Sequence, residues 1–568
     1  MLLIILLGAL FKTLSLRSGG RIVAESLGAT HLVNTGGVVE VQRLQNVVEE
    51  MAIASGMAVP PIYVVPDKSI NAFAAGWTTD DAVVGVTVGC MSKLSRDELQ
   101  GVVAHEFSHI TNGDMRLNMR MIGVVGGITL LGTIGSVTSS DVSPKMMRAG
   151  NTHAFLGGVL LFVAGLFLEG VGAIGTFFGR MMQAAISRQR EFLADAAAVD
   201  FTRNPSGISG ALRSIAQRGA GNKIRNVYAR NIGHLFFTSA FRSVFATHPP
   251  ISHRIARIEQ LPIEQIGVID HGISRENKAG IPYGAVGLVG ASAAVDSVHQ
   301  YGKATQESIV HANELIQQLP EQIRSALHTP AGAQAAVLAT VMASDDGVRW
   351  KQSRLIDAQI GSEMLEDVEL VRPSIAGLER HLRILILDLA VPSISRIDRG
   401  DAIVLANVIR GCVHADKKVD RFEWLLGRIV MRRLQARIEF RSPRRGKRSI
   451  SDLASSVAVV LLAVARTGSR TEEEAAAAFA QGARSIRAEC KDLAMPTRVV
   501  LSDLDSAFDD LEMAKPEAKV AVLEAALATA THDGKIRMGE YEMIRAVADA
   551  LGLGMPPIVP ETQRVTTS

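Results

Sequence analysis

The apolar and polar positions of this chain fall into stretches of distinct rhythm, and each rhythm predicts an element. Residues 154 to 178, Ala154 through Phe178, are apolar or small and broken only by Glu169, so as a helix they are long enough to span a bilayer. Residues 121 to 137, Met121 through Val137, are uncharged and near the lower limit for a span. Together they predict a hairpin; the alternative for each is a helix buried in a core. Met1 through Leu10 is apolar but too short to span alone, and extended through Leu16 it reads as a tilted anchor with Lys12 snorkelling. Between these runs, Leu94 through Ala104 has helical apolar spacing, with Ser95 as N-cap and Glu98 three residues on. Ile62-Tyr63-Val64-Val65 and Ala82 through Val88 read as strands. From about Gly272 to Ser568 the chain is rich in alanine and helix formers, with no strong strand signal.

Composition sharpens this picture. Apolar residues make up 47% and the mean hydropathy is +0.20, high for a soluble chain of 568 residues. The net charge is only +3, so charge balance gives no argument for a polyanionic partner. Cys90, Cys412 and Cys490 stand at no ligand spacing and suit a reducing compartment.

The chemistry concentrates in His105-Glu106-Phe107-Ser108-His109. Residues four apart share a helix face, so the two imidazoles can grip one metal ion, and Glu106 can take the proton of a water on that metal. A chance match on a surface or core helix is the alternative, and the helical flank argues against it. Two histidines leave a catalytic zinc site short of a third protein ligand. The extended metzincin pattern fails, because Asn112 and Met115 stand where it needs glycine and histidine. The better candidate is Glu191, with Asp195 four residues on to orient a ligand imidazole. Taken alone, both would pass for exposed carboxylates balancing Arg188 and Arg190.

The run from Ala104 to Met115 resembles the zinc helix of the HtpX-like membrane metallopeptidases, in the gluzincin group that includes the CAAX prenyl endopeptidases. Asn71-Ala72-Phe73-Ala74-Ala75-Gly76 resembles the strand signature that precedes that helix. Arg190 through Asp195 resembles the third-ligand helix, and Thr247-His248-Pro249-Pro250 with His253-Arg254-Ile255 the closing motif. The resemblance covers about residues 1 to 262. It implies one Zn2+ per chain held by His105, His109 and Glu191, with Glu106 as general base and Asp195 behind a ligand. The two strands flank the Asn71 segment, where an exposed edge over Asn71, Ala72, Phe73 and Ala74 can pair with an extended peptide; an ordinary sheet packed on the zinc helix is the other reading. His248, His253 and Arg254 are candidates to stabilise the oxyanion, with His248 named first. Proteins of this family usually begin with two spans, so this chain looks shortened at its start.

Basic residues set the expected orientation. Lys12, Arg17 and Arg21 follow the first apolar segment, Arg116 and Arg120 precede the second, and Arg180, Arg188 and Arg190 follow the third. The loop between the second and third holds Lys145 and Arg148 against Asp141. The positive-inside rule then puts the protease portion in the cytoplasm, in an inner, multi-pass membrane protein.

The C-terminal half carries a weak repeat of helix, Asp-led turn, helix, at Ala335–Val348, Leu405–Val419 and Ala526–Ile536. The third copy, through Leu553, resembles the TerB-like helical module. Its Asp533-Gly534 turn lacks the alternating oxygen ligands of a calcium-binding loop. A basic stretch from Arg428 to Arg448 can lie on anionic lipid or be a solvated helix face; no aromatic interleaving supports nucleic acid, and none is expected as a partner.

The expected architecture is therefore mainly α and integral to a membrane: a gluzincin-type zinc peptidase domain with a small β-sheet and a transmembrane hairpin, then an all-α region. Its parts are an anchor at 1–16, peptidase segments at 17–120 and 179–271 around a hairpin at 121–178, and a cytoplasmic helical domain at 272–568. The expected activity is zinc-dependent endoproteolysis of protein or peptide substrates, in membrane-protein quality control as the family suggests. The competing class is a membrane-anchored scaffold with an idle or structural zinc site, its helical half recruiting protein partners. A prenyl-protein endopeptidase shares the zinc chemistry but needs a larger intramembrane chamber than three short apolar segments provide.

Overall fold

The computed structural model describes residues 2–16, 19–32, 38–148, 151–218, 232, 235–237, 248–259, 306–415, 421–438, 446–488, 490, 493–534 and 536–555. The chain forms two compact units, Met1–Leu32 with Ile62–Gly272, and Val33–Pro61 with Ile273–Ser568.

The first unit opens with α1 (Leu2–Ser15), α2 (Gly20–Ser26) and β1 (Thr30–His31); α3 (Val39–Ala54), next along the chain, belongs to the second unit. Then come β2 (Ile62–Val65), β3 (Ala72–Ala75), β4 (Val83–Thr87), α4 (Val88–Lys93) and α5 (Arg96–Thr111). The four strands form one sheet in the order β1-β2-β4-β3, with β2 parallel to β4 and the other pairs antiparallel. Thr87 ties the sheet to the chain around it. Its hydroxyl accepts from Cys90 N at 3.2 Å to cap α4, and approaches the carbonyls of Ser69 (2.6 Å) and Asn71 (3.0 Å). Gly85 is required where the Phe73 ring crosses β4: a Cβ there would sit 2.0 Å from the ring. Phe73, Trp77, Val83, Met119, Ile122 and Phe236 share the core beneath.

The expected capping box starts α5. Ser95 Oγ accepts from Glu98 N at 3.2 Å and Ser95 N donates to Glu98 Oε2 at 2.8 Å. At the other end Gly113 adopts φ 70°, the left-handed turn that lets a new helix begin at once. That helix is α6 (Asp114–Val137), followed by a π-helical turn (Thr138–Val142), α7 (Ser143–Met147), α8 (Thr152–Thr202), α9 (Pro205–Arg218) and α10 (Ile251–Glu259). The sequence placed a boundary at 178, but α8 runs unbroken for 51 residues, about 76 Å. No proline or glycine cap interrupts it, so the end of apolarity is not the end of the helix.

Helices α6 and α8 are each long and apolar enough to cross a membrane. They meet through small residues: a Cβ on Gly172 would lie 2.4 Å from Gly132 Cα, and one on Gly135 2.4 Å from Glu169 N. Helix α1 packs on α6 in the same way, at Gly127 against Ala9. The outer face of α8 shows Leu156, Leu160 and Phe167.

The second unit is helical. Its segment Ser451–Gly468 also passes for a span by length and apolarity, yet Val457, Val460, Leu461 and Val464 bury it in the core. The first and third repeat copies are helix–turn–helix, Pro330–Thr340 with Asp346–Gln359 and Pro516–Ala530 with Met538–Leu551. The second pairs Arg399–Val413 with Arg421–Ile438; its Asp416–Val419 turn lies outside the described residues.

Helix α3 packs in this unit against helices Gln306–Gln318 and Arg380–Ile394. Glu49 meets His328 Nε2 at 2.8 Å, and Arg545 donates to Gly56 O at 3.0 Å and to Asp388 Oδ2 at 2.6 Å. Leu44, Val47, Val48 and Met51 are buried; their pattern announces burial without naming the partner.

Three arginines of the basic stretch have acidic partners within this unit. Arg433 reaches Asp549 at 2.7 Å, Arg448 reaches Asp510 at 2.6 Å, and Arg428 pairs with Asp509. Arg441, Arg444 and Arg445 lie outside the described residues.

Candidate metal centre

His105 and His109 stand one turn apart on α5, with ring centroids 4.8 Å apart. Helix α8 brings Glu191 to them from far along the chain. One donor atom from each of these three residues lies within 4.8 Å of the others, and the cluster is almost wholly buried. His105 Nε2 is 3.7 Å from Glu191 Oε2, and His109 Nε2 is 3.7 Å from Glu191 Oε1. Both gaps are too long for hydrogen bonds. They approach the roughly 3.4 Å edge of a tetrahedron whose metal–ligand bonds are about 2.1 Å. His105 Nε2 is sealed from solvent without a hydrogen-bond partner, a costly arrangement unless a metal completes it. The residues present therefore fit zinc.

A model of peptidase family M48 matches residues 39–261. A Protease HtpX homolog of Bacteroides fragilis is 37% identical over 233 residues, 39% of this chain and 69% of the relative. One from Listeria monocytogenes is 38% identical over 231 residues, 38% of this chain and 73% of the relative. One from Dictyoglomus turgidum is 38% identical over 237 residues, covering 40% and 74%. The chain belongs to peptidase family M48. It is an HtpX-like metallopeptidase, of a family that uses zinc, with a helical half beyond the matched stretch. No solved structure matches it.

Around this M48 cluster stands a second layer. Asp195 Oδ1 lies 3.0 Å from His105 Nδ1. Arg254 of α10, fully buried, holds that carboxylate from behind. Its Nε donates to Asp195 Oδ2 at 2.8 Å, its Nη2 to Oδ1 at 2.6 Å, and its Nη1 to the Phe237 carbonyl at 2.7 Å. The Phe237 ring packs edge-on to His105 at 4.9 Å and lies under the Arg254 guanidinium at 4.6 Å. His109 Nδ1 meets Asp114 Oδ2 at 2.9 Å, and Arg190 pairs with the other oxygen of Asp114. His248 Nδ1 is 2.8 Å from Glu191 Oε2.

Burial and neighbouring charge set the ionisation of these groups. Burial pushes His105 down to about 4 against the pull of Asp195, which keeps the imidazole neutral, the form that binds metal. Burial opposes ionisation of Glu191, yet His248, His105 and Arg254 together hold it below the ordinary carboxylate range. Burial likewise opposes Asp195, and Arg254 and His105 bring it down. Burial raises Glu106 to about 8, offset in part by His109 and by the Ala74 backbone N–H. A divalent cation held by the three residues would add positive charge beside Glu106 and would favour its ionised form.

The structure thus brings together His105, Glu106, His109, Glu191, Asp195 and His248, and sets β3 beside Glu106. Asn71 is buried, its side-chain oxygen accepting from Ala72 N at 3.1 Å. The Ala72 carbonyl accepts from Phe237 N at 2.8 Å, and Phe73 forms an antiparallel bridge with Phe236. His253 is exposed, away from the cluster, and Arg254 is committed to Asp195 and Phe237. Sequence reading gave no role at the metal centre to Asp114, Phe236 or Phe237, and read Arg190 only as a balancing and orienting charge. The Asn112-Gly113-Asp114 turn straight after the zinc helix was the available signal for Asp114; nothing in the sequence marked the phenylalanines.

Proposed function

We propose that this M48 peptidase is an integral-membrane endopeptidase holding one zinc ion through His105, His109 and Glu191 and cutting peptide bonds at the cytoplasmic face. The observation that carries the reading is Glu106, a buried carboxylate one residue from the first of three converging ligands and within reach of the edge strand β3. The ion, when bound, supplies Lewis acidity that makes water and a peptide carbonyl reactive at neutral pH. Glu106 takes the proton released as water adds and returns it to the departing amine. Asp195 and Arg254 hold His105 in the tautomer whose Nε2 faces the ligand cluster. His248, against Glu191, is the side chain assigned to steady the developing oxyanion.

An extended peptide pairs with the outer edge of β3. Phe236 and Phe237 already occupy that edge at Ala72 and Phe73, so pairing starts from Ala74. Helices α6 and α8 cross the bilayer as a hairpin packed through glycines. Arg116 and Arg120, before the second apolar segment in sequence, and Arg180, Arg188 and Arg190, after the third, support a cytoplasmic peptidase portion by the positive-inside rule. The helical half is read as a recruiting or regulatory part, and quality control of membrane proteins as the setting.

The test compares the full chain in detergent with its Glu106→Gln form, measuring bound zinc and cleavage of unfolded casein. One zinc in each, with cleavage falling about 10²–10⁴-fold in the variant, is the expected result. Equal cleavage by both proteins refutes the assignment of Glu106, and absence of zinc refutes the site.

A further inference from the structure

We infer that Asp114 and Arg190 form a positioning relay that fixes the tautomer of His109 and ties the metal centre to the apolar hairpin. The inference rests on His109 being a zinc ligand, as proposed above. Asp114 is the first residue of α6, and the left-handed Gly113 folds it back onto the helix that has just ended. Its Oδ2 lies 2.9 Å from His109 Nδ1, while its other oxygen pairs with Arg190. Arg190 directly precedes Glu191 on α8. One helix therefore delivers both a metal ligand and the cation that clamps the carboxylate behind a different ligand.

The chemistry of this arrangement is specific. A carboxylate offers only acceptors, so His109 Nδ1 must carry the ring proton and Nε2 is left with its lone pair toward Glu191. The arginine offers only donors, so it holds one carboxylate oxygen and keeps the other aimed at the imidazole. The His105–Asp195–Arg254 arrangement repeats the logic on the other ligand, with an arginine from α10 in place of one from α8. Because Asp114 begins α6 and Arg190 rides on α8, the orientation of His109 depends on how those two helices pack, and they pack through Gly132 and Gly172. A sliding of one apolar helix past the other would separate Asp114 from Arg190 and loosen the ligand.

The relay predicts a non-additive result that simple structural support does not. In Asp114→Asn the arginine demands the amide oxygen, which turns the amide NH2 toward His109. The imidazole must then accept at Nδ1 and protonate Nε2, the atom that should bind metal. In Arg190→Gln the carboxylate remains and the tautomer is kept. In the double variant the amide is free to rotate its oxygen back to His109.

The experiment measures zinc dissociation constants by chelator competition, and the absorption of the cobalt-substituted proteins, on the full chain in detergent. Asp114→Asn is expected to bind zinc about 10–100-fold more weakly, and Arg190→Gln to lie at the low end of that range. Asp114→Asn with Arg190→Gln is expected to bind more tightly than Asp114→Asn alone. Single variants within twofold of the unsubstituted chain, or a double variant weaker than Asp114→Asn, would overturn the inference. If the unsubstituted chain binds no zinc, the ligand assignment itself fails and the relay falls with it. Zinc bound normally by every variant fails the relay alone.

Discussion

Removing the Arg254 guanidinium is the sharpest test of how the centre is held. Arg254→Met keeps most of the side chain's length and volume but deletes three donors. Asp195 would be left ionised and buried with only His105 beside it, and the Phe237 carbonyl would lose its partner. Breaking a buried ion pair by removing one member costs about 3–5 kcal/mol, because the surviving charge is uncompensated. A unit of this size loses about 2–4 °C of Tm per kcal/mol, so the expected fall is roughly 6–20 °C. The assay is thermal unfolding of the full chain in detergent after the metal is chelated, so that metal linkage does not mask the change. Arg254→Lys keeps the charge but not the fork and should fall between the two. Pairing Arg254→Met with Asp195→Asn removes both charges and should cost less than Arg254→Met alone. A fall of under about 2 °C in Arg254→Met, or a double variant less stable than that single one, would refute the reasoning.

Two further tests address other parts of the chain. Gly172→Val drives its Cβ onto the Gly132 backbone, whereas Gly170 has open space around its Cβ position; the first should destabilise the packing of α6 on α8 by about 1–3 kcal/mol and Gly170→Val should not, read as thermal stability in detergent. Equal losses would show that α6 and α8 do not meet at these glycines. Burial raises the Glu540 carboxyl to about 7, against the Arg537 backbone N–H that lowers it. The folded chain therefore holds this proton where the unfolded chain, near 4.5, has released it, so its contribution is full below pH 4.5 and is lost as pH rises through 7. Glu540→Gln should raise Tm at pH 8 and leave it little changed at pH 4; a gain independent of pH would contradict this origin.

Much of the centre was legible in the sequence because its signals are local. Helix periodicity alone puts His105 and His109 on one face and Glu191 and Asp195 on another. The capping pair Ser95 and Glu98 fixed the start of α5, since both partners lie within one turn. The length and apolarity of 121–137 and 154–178 gave the two long apolar helices α6 and α8. Their true ends at Asp114 and Thr202 escaped, because helical propensity continues after apolarity stops. The basic stretch at 428–448 shows a signal of the opposite kind, one whose partners are remote. Its arginines read as an exposed surface, and their acidic partners Asp505, Asp509, Asp510 and Asp549 stand tens of residues away.

The amino-acid order by itself thus determined the helices that carry His105, Glu106, His109 and Glu191 and the apolar segments, all set by residues a few positions apart. Tertiary structure alone decided that Asp114 and Arg190 meet behind His109, that Arg254 and Phe237 close over His105, and that Phe236 and Phe237 fill part of the β3 edge. It alone also placed α3 against helices Gln306–Gln318 and Arg380–Ile394. The physical reason is the same in each case. Burial and charge pairing depend on which surfaces meet, and a side chain's pattern states that it needs a partner without stating which one.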